Sequence, residues 1–255
     1  MSELTLEQKI DKLLRLEEQN RASIEVQNLI SKFFYLQEAG MFEERWDLLA
    51  NKTPGVRVEA GVRGVFEGKK HAYETMVTHE KIFETSHAQA IRAEFPDLEF
   101  ETPHTGMLET SVVGTPVIEV AGDCKTAKGI WMAIMMGAKA RLGANGQPKP
   151  FIVWWKIAAD FVVEDGQWKI WHLAQNPLFT GDFEPDWVEQ SKHMPPVPKP
   201  NATWKNVHKV EGVSAWPVPD RPTTEVYNPY RIDRTPKNFP APPEPYETFD
   251  ETTSY

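Results

Sequence analysis

The chain predicts an α+β fold, and three observations carry that prediction. Apolar residues recur at helical spacing from the N-terminus to about Phe95, after which the period changes. From Gly106 to Leu173 the segments alternate like strands and are rich in β-branched and aromatic residues. The last two of these, Ile152–Val163 and Trp168–Leu173, flank Glu164-Asp165-Gly166-Gln167, and Asp-Gly is the strongest short-range hairpin signal. Helices first and meandering strands afterwards indicate an antiparallel sheet with its helices in a separate layer.

The elements follow in order. Thr5-Leu6-Glu7-Gln8 fits a capping box, and Leu6, Ile10, Leu13 and Leu14 make Thr5 to Glu18 an amphipathic helix. A second helix is expected from Ala22 to Ala39, its broad apolar side including Ile24, Leu29, Ile30, Phe33, Phe34 and Leu36, with Gly40 suited to its end. Tyr35 and Glu38 are three apart and can share a face. A short helix over Phe42–Leu49 and a strand within Val56–Phe66, interrupted by Gly64, come next. A helix from Lys69 to Phe83 continues through Ala88–Phe95 until Pro96 stops it. The expected strands are Gly106–Val113, Pro116–Ala121, Ala127–Gly137, Phe151–Val163 and Trp168–Leu173. With a period of two, Trp168, Ile170 and His172 share one face, the better candidate for a cavity wall. The alternative is that His172 only satisfies hydrogen bonds within a core.

Three segments are expected: an N-terminal helix (1–21), a domain (22–180) and an arm (181–255). Thirteen of the 21 prolines lie in Pro195–Tyr255, with a single glycine, so that stretch cannot form its own core. Its rings, among them Trp204, Trp216, Tyr227, Tyr230, Phe239, Tyr246 and Phe249, predict an extended arm laid on the domain or on a neighbouring subunit.

Composition removes several functions. At 40% hydrophobic and 25% charged residues, 255 residues suffice for a sizeable core. A net charge of −9 argues against nucleic acid, which needs a basic surface. The single cysteine, Cys124, excludes an internal disulfide and a cysteine-built zinc site. His71, His79 and His87 recur every eight residues, about 12 Å per step along a helix, too far to share a metal; they read as surface or packing histidines. No nucleotide cradle or serine-hydrolase elbow occurs, so no cofactor and no metal are expected. The charged N-terminus has no apolar segment of a secretory signal and no run reaches membrane-spanning length, which predicts a cytoplasmic protein without a membrane partner.

Four stretches resemble the SnoaL-like polyketide cyclase and dehydratase family, within the nuclear transport factor cone fold. They are Tyr35–Leu49 (YLQEAGMFEERWDLL), Gly64–Ala72 (GVFEGKKHA), Thr115–Trp131 (TPVIEVAGDCKTAKGIW) and Trp154–Leu173 (WWKIAADFVVEDGQWKIWHL), within a match covering Ala22 to Phe179. The resemblance implies helices packed in the concave face of a strongly curved sheet, and an apolar cone in which a carboxylate or histidine moves a proton. It also places the family's first-helix acid on Glu38, its strand histidine on His104 and its last-strand polar residue on His172, with Tyr35 standing in for a tyrosine that is Phe33 here.

A proton-transfer site needs a titratable group in a dry pocket. The expected catalytic set is His172 as the group nearest neutrality, Glu38 to orient it, Tyr35 as an oxyanion donor and His104 as partner acid. Trp131, Met135, Trp155, Phe33 and Trp46 are expected to line the pocket, with Met132 and Met136 nearby. The expected activity is a cofactor-independent lyase, foremost a dehydratase, on a hydrophobic aromatic or polycyclic hydroxylated molecule. The alternatives are carbon–carbon cleavage releasing formaldehyde from a lignin-type diaryl compound, and a non-catalytic binding module. A homo-oligomer is expected, with the arm at the interface, because the outer face of a cone's sheet needs cover.

Overall fold

The computed structural model describes residues 4–140, 147–184, 186–193, 218–223 and 230–255. The chain begins with α1 (Leu6–Glu38) and α2 (Phe42–Trp46). Two short strands, β1 (Arg57–Ala60) and β2 (Val65–Glu67), flank a 3₁₀ turn, Gly61–Arg63. Next come α3 (Gly68–Tyr73), a π-helical turn (Glu74–Thr78) and α4 (His79–Glu94). The long strands follow: β3 (Leu108–Val113), β4 (Val117–Val120), β5 (Thr126–Lys139), β6 (Lys149–Glu164) and β7 (Gln167–Asp182), then α5 (Trp187–His193).

The two helices expected before Gly40 are one. Nothing between Glu18 and Ala22 breaks the ladder, since the stretch lacks glycine and proline. The capping box forms: the Gln8 backbone N–H donates to Thr5 Oγ1 at 3.2 Å, and the Thr5 N–H to Gln8 Oε1 at 2.9 Å. The halves of α1 differ. Leu6, Ile10, Leu13 and Leu14 are exposed, whereas Val26, Ile30, Phe33 and Phe34 are buried in the main core. Gly40 ends the helix at φ +68°, where a Cβ would lie 2.2 Å from His104 Cε1, so the turn requires glycine.

The sheet is curved and unclosed, with strand order β2-β1-β7-β6-β5-β3 and β4 also on β5. It is mixed rather than purely antiparallel: β1 runs parallel to β7, pairing Arg57 with His172 and Ala60 with Gln175. The β6–β7 turn follows its Asp-Gly signal, with Asp165 and Gly166 at φ 51° and 74°.

Two bulges in β7 decide which residues face where. Asp160 pairs with His172 but Phe161 with Ile170, leaving Trp171 unpaired. Trp154 pairs with Phe179 but Trp155 with Pro177, leaving Leu178 unpaired. Each extra residue inverts the alternation. Ile170 and Leu173 therefore lie in the main core on the concave side, and His172 and Ala174 on the convex side. The expectation that Trp168, Ile170 and His172 share a face is corrected by the first bulge.

The last part of the arm, from Phe239 to Tyr255, lies on the convex side of its own sheet. Lys156 Nζ donates to the Phe239 carbonyl at 3.2 Å, Tyr255 packs on Ile130, Ala158 and Ala174, and the Phe249 ring lies tilted against Trp171 at 4.8 Å. Trp204, Trp216 and Tyr227 lie outside the described residues.

Candidate functional site

The concave side holds a cavity of about 260 Å³ whose walls come from helices and strands alike. On the helical side, Met76, His79, Glu80 and Phe83 line it. Their spacing of three, four and seven is one helical stripe, and the π-turn joins Met76 to the helix that follows. Gln37 enters from α1, Arg45 from α2 and Arg63 from the 3₁₀ turn. On the sheet side, Phe151, Val153 and Trp155 alternate along β6, Met135 and Lys139 are four apart on β5, and Glu109 stands on β3. Gln175 and Thr180 both face the cavity from β7 despite their odd spacing, because the Leu178 bulge lies between them.

His79 is the centre of this arrangement. It is 3% exposed and packs edge-on against Phe83 at 4.5 Å. The Arg63 guanidinium contacts Nδ1 and reaches Nε2 at 3.0 Å. Burial, then the positive charges of Arg63, Lys139 and Arg45, hold its pKa well below the ordinary histidine range, so the imidazole is neutral and accepts hydrogen bonds. Arg45, 1% exposed, donates to the Met76 carbonyl, lies 3.7 Å from Glu80 and sits over the rings of Phe33 (5.1 Å) and Phe42 (4.9 Å). Lys139 pairs with Glu109 and lies over Phe83 and Phe151. Gln37 Oε1, Arg45 Nε and Trp155 Nε1 are buried without a hydrogen-bond partner. Leaving a buried donor or acceptor unpaired costs about 1–3 kcal/mol, and all three belong to residues lining this one cavity.

The residues expected from sequence are dispersed. Met135 and Trp155 line the cavity. Phe33 lies beneath Arg45, Trp46 packs on Tyr73 at 5.5 Å, and Trp131 packs on Phe161 at 6.2 Å; all three are buried in the main core. Tyr35 is 76% exposed and borders a groove with Glu38 and Thr110–Val113. His104 sits beside Gly40, 2.8 Å from Glu84 and 5.4 Å from the Phe42 ring.

His172 stands on the opposite side of the sheet. Its Nδ1 is 2.8 Å from Asp160 Oδ2 and 2.9 Å from Ser254 Oγ. Asp160 also accepts from Lys128 Nζ, Ser254 Oγ and the Tyr255 N–H. Burial raises the Asp160 pKa, but the His172 bond and the Lys128 charge outweigh it and hold the carboxyl below its usual range. The four expected catalytic residues thus do not converge. A bulge carries His172 outward, and α1 places Tyr35 and Glu38 on its exposed side.

Of the three evenly spaced histidines, His71 binds Asp220 at the surface, and His87 packs between the Ala140 N–H and the Thr105 carbonyl. His79 is buried and packs on Phe83 as well as lining the cavity. The sequence carries a signal for it: His79 lies three residues after Met76, on the same helical face. Among the described residues, no cluster of three or more His, Cys, Asp or Glu is placed to hold a metal, and no helix is long and apolar enough to cross a membrane.

The model of the SnoaL-like domain family matches residues 20–174. No curated protein matches the chain. Among solved structures, a provisionally assigned scytalone dehydratase from Novosphingobium aromaticivorans is 14% identical with a TM-score of 0.43, covering 63% of this chain and 86% of that one. A type 2 hexachlorocyclohexane dehydrochlorinase is 10% identical with a TM-score of 0.46, covering 64% and 88%. A structure of LinA is 9% identical with a TM-score of 0.47, covering 67% and 95%. The family includes dehydratases, cyclases and lyases. With its helices, its curved sheet and a match over more than half its length, the chain belongs to the SnoaL-like domain family.

Proposed function

We propose that the chain is a cofactor-independent lyase that eliminates water from a hydrophobic aromatic or polycyclic hydroxylated small molecule, with His79 as the base. The observation that carries this reading is a buried, neutral imidazole held against a guanidinium on an aromatic-walled cavity. A neutral imidazole can take a proton from the carbon beside a carbinol, and the C–H electrons then form the double bond as hydroxide departs. Both cavity carboxylates that could act as acids face a cation, Glu80 with Arg45 and Glu109 with Lys139. The imidazolium just formed is therefore the ready acid, and it returns its proton to the leaving hydroxide as water. Arg63 favours negative charge developing on oxygen.

The unpartnered polar atoms argue for a hydroxylated substrate. Arg45 Nε and Trp155 Nε1 need an acceptor, and Gln37 Oε1 needs a donor. A hydroxyl offers both; a halide or ether offers no donor. Phe83, Phe151 and Trp155 suit an aromatic ring. Polar atoms beyond those used by His79 and Arg63 favour a second reading, a diol cleaved between its carbons. His79 would then take the terminal hydroxyl proton, the carbon–carbon bond would break to give formaldehyde, and its electron pair would expel a neighbouring hydroxyl.

The test is to incubate the protein with aryl alcohols and diaryl propanediols, following new conjugated absorbance for dehydration and trapping formaldehyde for cleavage. Product lost in His79→Gln supports the lyase. Tight binding without either product, in both proteins, overturns it in favour of a carrier.

A further inference from the structure

Arg63 stands on a three-residue turn between two of the shortest strands of the sheet, and β2 is an edge. Such a turn has little of its own to fix a long side chain. A segment from far along the chain, residues 218–223, packs against the residues that follow the turn. The Asp220 N–H donates to the Val65 carbonyl and the Val65 N–H to the Arg221 carbonyl, both at 2.9 Å. The Asp220 carboxylate accepts from the Glu67 N–H at 2.6 Å and lies 2.6 Å from His71 Nδ1. Arg221 Nε donates to Glu67 at 2.7 Å. The segment comes so close that a Cβ on Gly64 would lie 2.7 Å from the Arg221 carbonyl and from Pro219 Cβ, at φ +112°. Gly64 follows Arg63 directly.

We propose that Asp220, with Arg221, is a clip that positions Arg63 against His79, so that this part of the arm belongs to the working parts of the site. The proposal rests on the reading of His79 as the base. The clip touches the turn from outside and no clip residue lines the cavity, so Asp220 acts through Arg63 as a positioning residue.

The measurable consequence is the titration of His79. The groups around it are Arg63 from the turn, Arg45 from α2, Lys139 from β5, Glu109 from β3 and Glu80 from its own helix. Burial and the three cations oppose its protonation. If the clip opens and Arg63 swings out, one cation leaves and His79 protonates at higher pH.

The experiment is an NMR titration of the imidazole nitrogens of the full chain, with His79 assigned through His79→Gln. Arg63→Gln sets the upper limit of the shift. The midpoint in Asp220→Ala and in Gly64→Ala is expected to move up towards that limit. Asp220→Asn, whose amide oxygen still accepts from the Glu67 N–H, is expected to stay with the parent. A merely structural role would lower the melting temperature without moving the His79 midpoint. An Asp220→Ala midpoint equal to the parent's overturns the proposal, and so does an Arg63→Gln midpoint equal to the parent's. If Gly64→Ala does not fold, Asp220→Ala decides alone, because Asp220 is at the surface. The lyase reading fails separately, if His79→Gln keeps its turnover.

Discussion

The two sides of the sheet carry the same ingredients and use them differently. Each has a buried histidine, a carboxylate and a cation: His79, Glu80 and Arg63 on the concave side; His172, Asp160 and Lys128 on the convex side. On the convex side the carboxylate is enclosed by its partners. Asp160 is 0% exposed and accepts from His172, Lys128, Ser254 and the Tyr255 N–H. Beside it lies a cavity of about 460 Å³ lined by Lys128, Tyr246, Ser254 and Tyr255, among others. On the concave side the histidine itself lines the opening and is neutral, and the lining residues keep unpartnered polar atoms. A buried histidine beside a carboxylate is therefore no sign of catalysis by itself. The sign is polarity left unsatisfied around a space.

The sharpest test of this contrast exchanges one histidine at a time. His79→Gln is expected to lower turnover about 10²–10⁴-fold, the usual contribution of a general base, whereas His172→Gln should leave it within a few-fold; equal losses would break the comparison. Asp160→Ala leaves Lys128 as an uncompensated buried charge and should destabilise the chain by about 3–5 kcal/mol in chemical denaturation. A loss like that of an exposed carboxylate would show that the convex cluster is not sealed.

Trp155→Phe removes an unpaired N–H together with one ring of a buried indole. It should weaken substrate binding by about 1 kcal/mol, read as a rise in KM with little change in kcat. The smallest effect is on pH dependence. Unfolded His79 titrates near the ordinary value of about 6.5 and folded His79 well below it, so the unfolded state binds more protons in acid. Its stabilising contribution is complete above the ordinary histidine value and shrinks as pH falls below it. In His79→Gln that portion of the acid loss should vanish from the stability curve.

Much of the fold was legible because local signals agreed with the tertiary outcome. The capping box at Thr5, the glycine at 40, the Asp-Gly turn at 165 and the change of period after Phe95 each name a boundary through the chemistry of a few adjacent residues. The strands were legible in type but not in facing. Alternation counts residues, and neither Trp171 nor Leu178 announces itself as the one without a partner. That decision belongs to the packing of β7 between β1 and β6, and it moved His172 to the far side of the sheet.

By itself, then, the sequence determined the class, most of the order of elements and the family. Only the tertiary structure decided which titratable side chains meet. His79, Arg63, Arg45 and Glu109 come from four separate elements, and no spacing along the chain encodes their approach. Helical periodicity fixes a residue's direction relative to its own helix. The charge that finally faces it, and so whether an imidazole is a neutral base or a packed core group, is set by chain brought there from elsewhere.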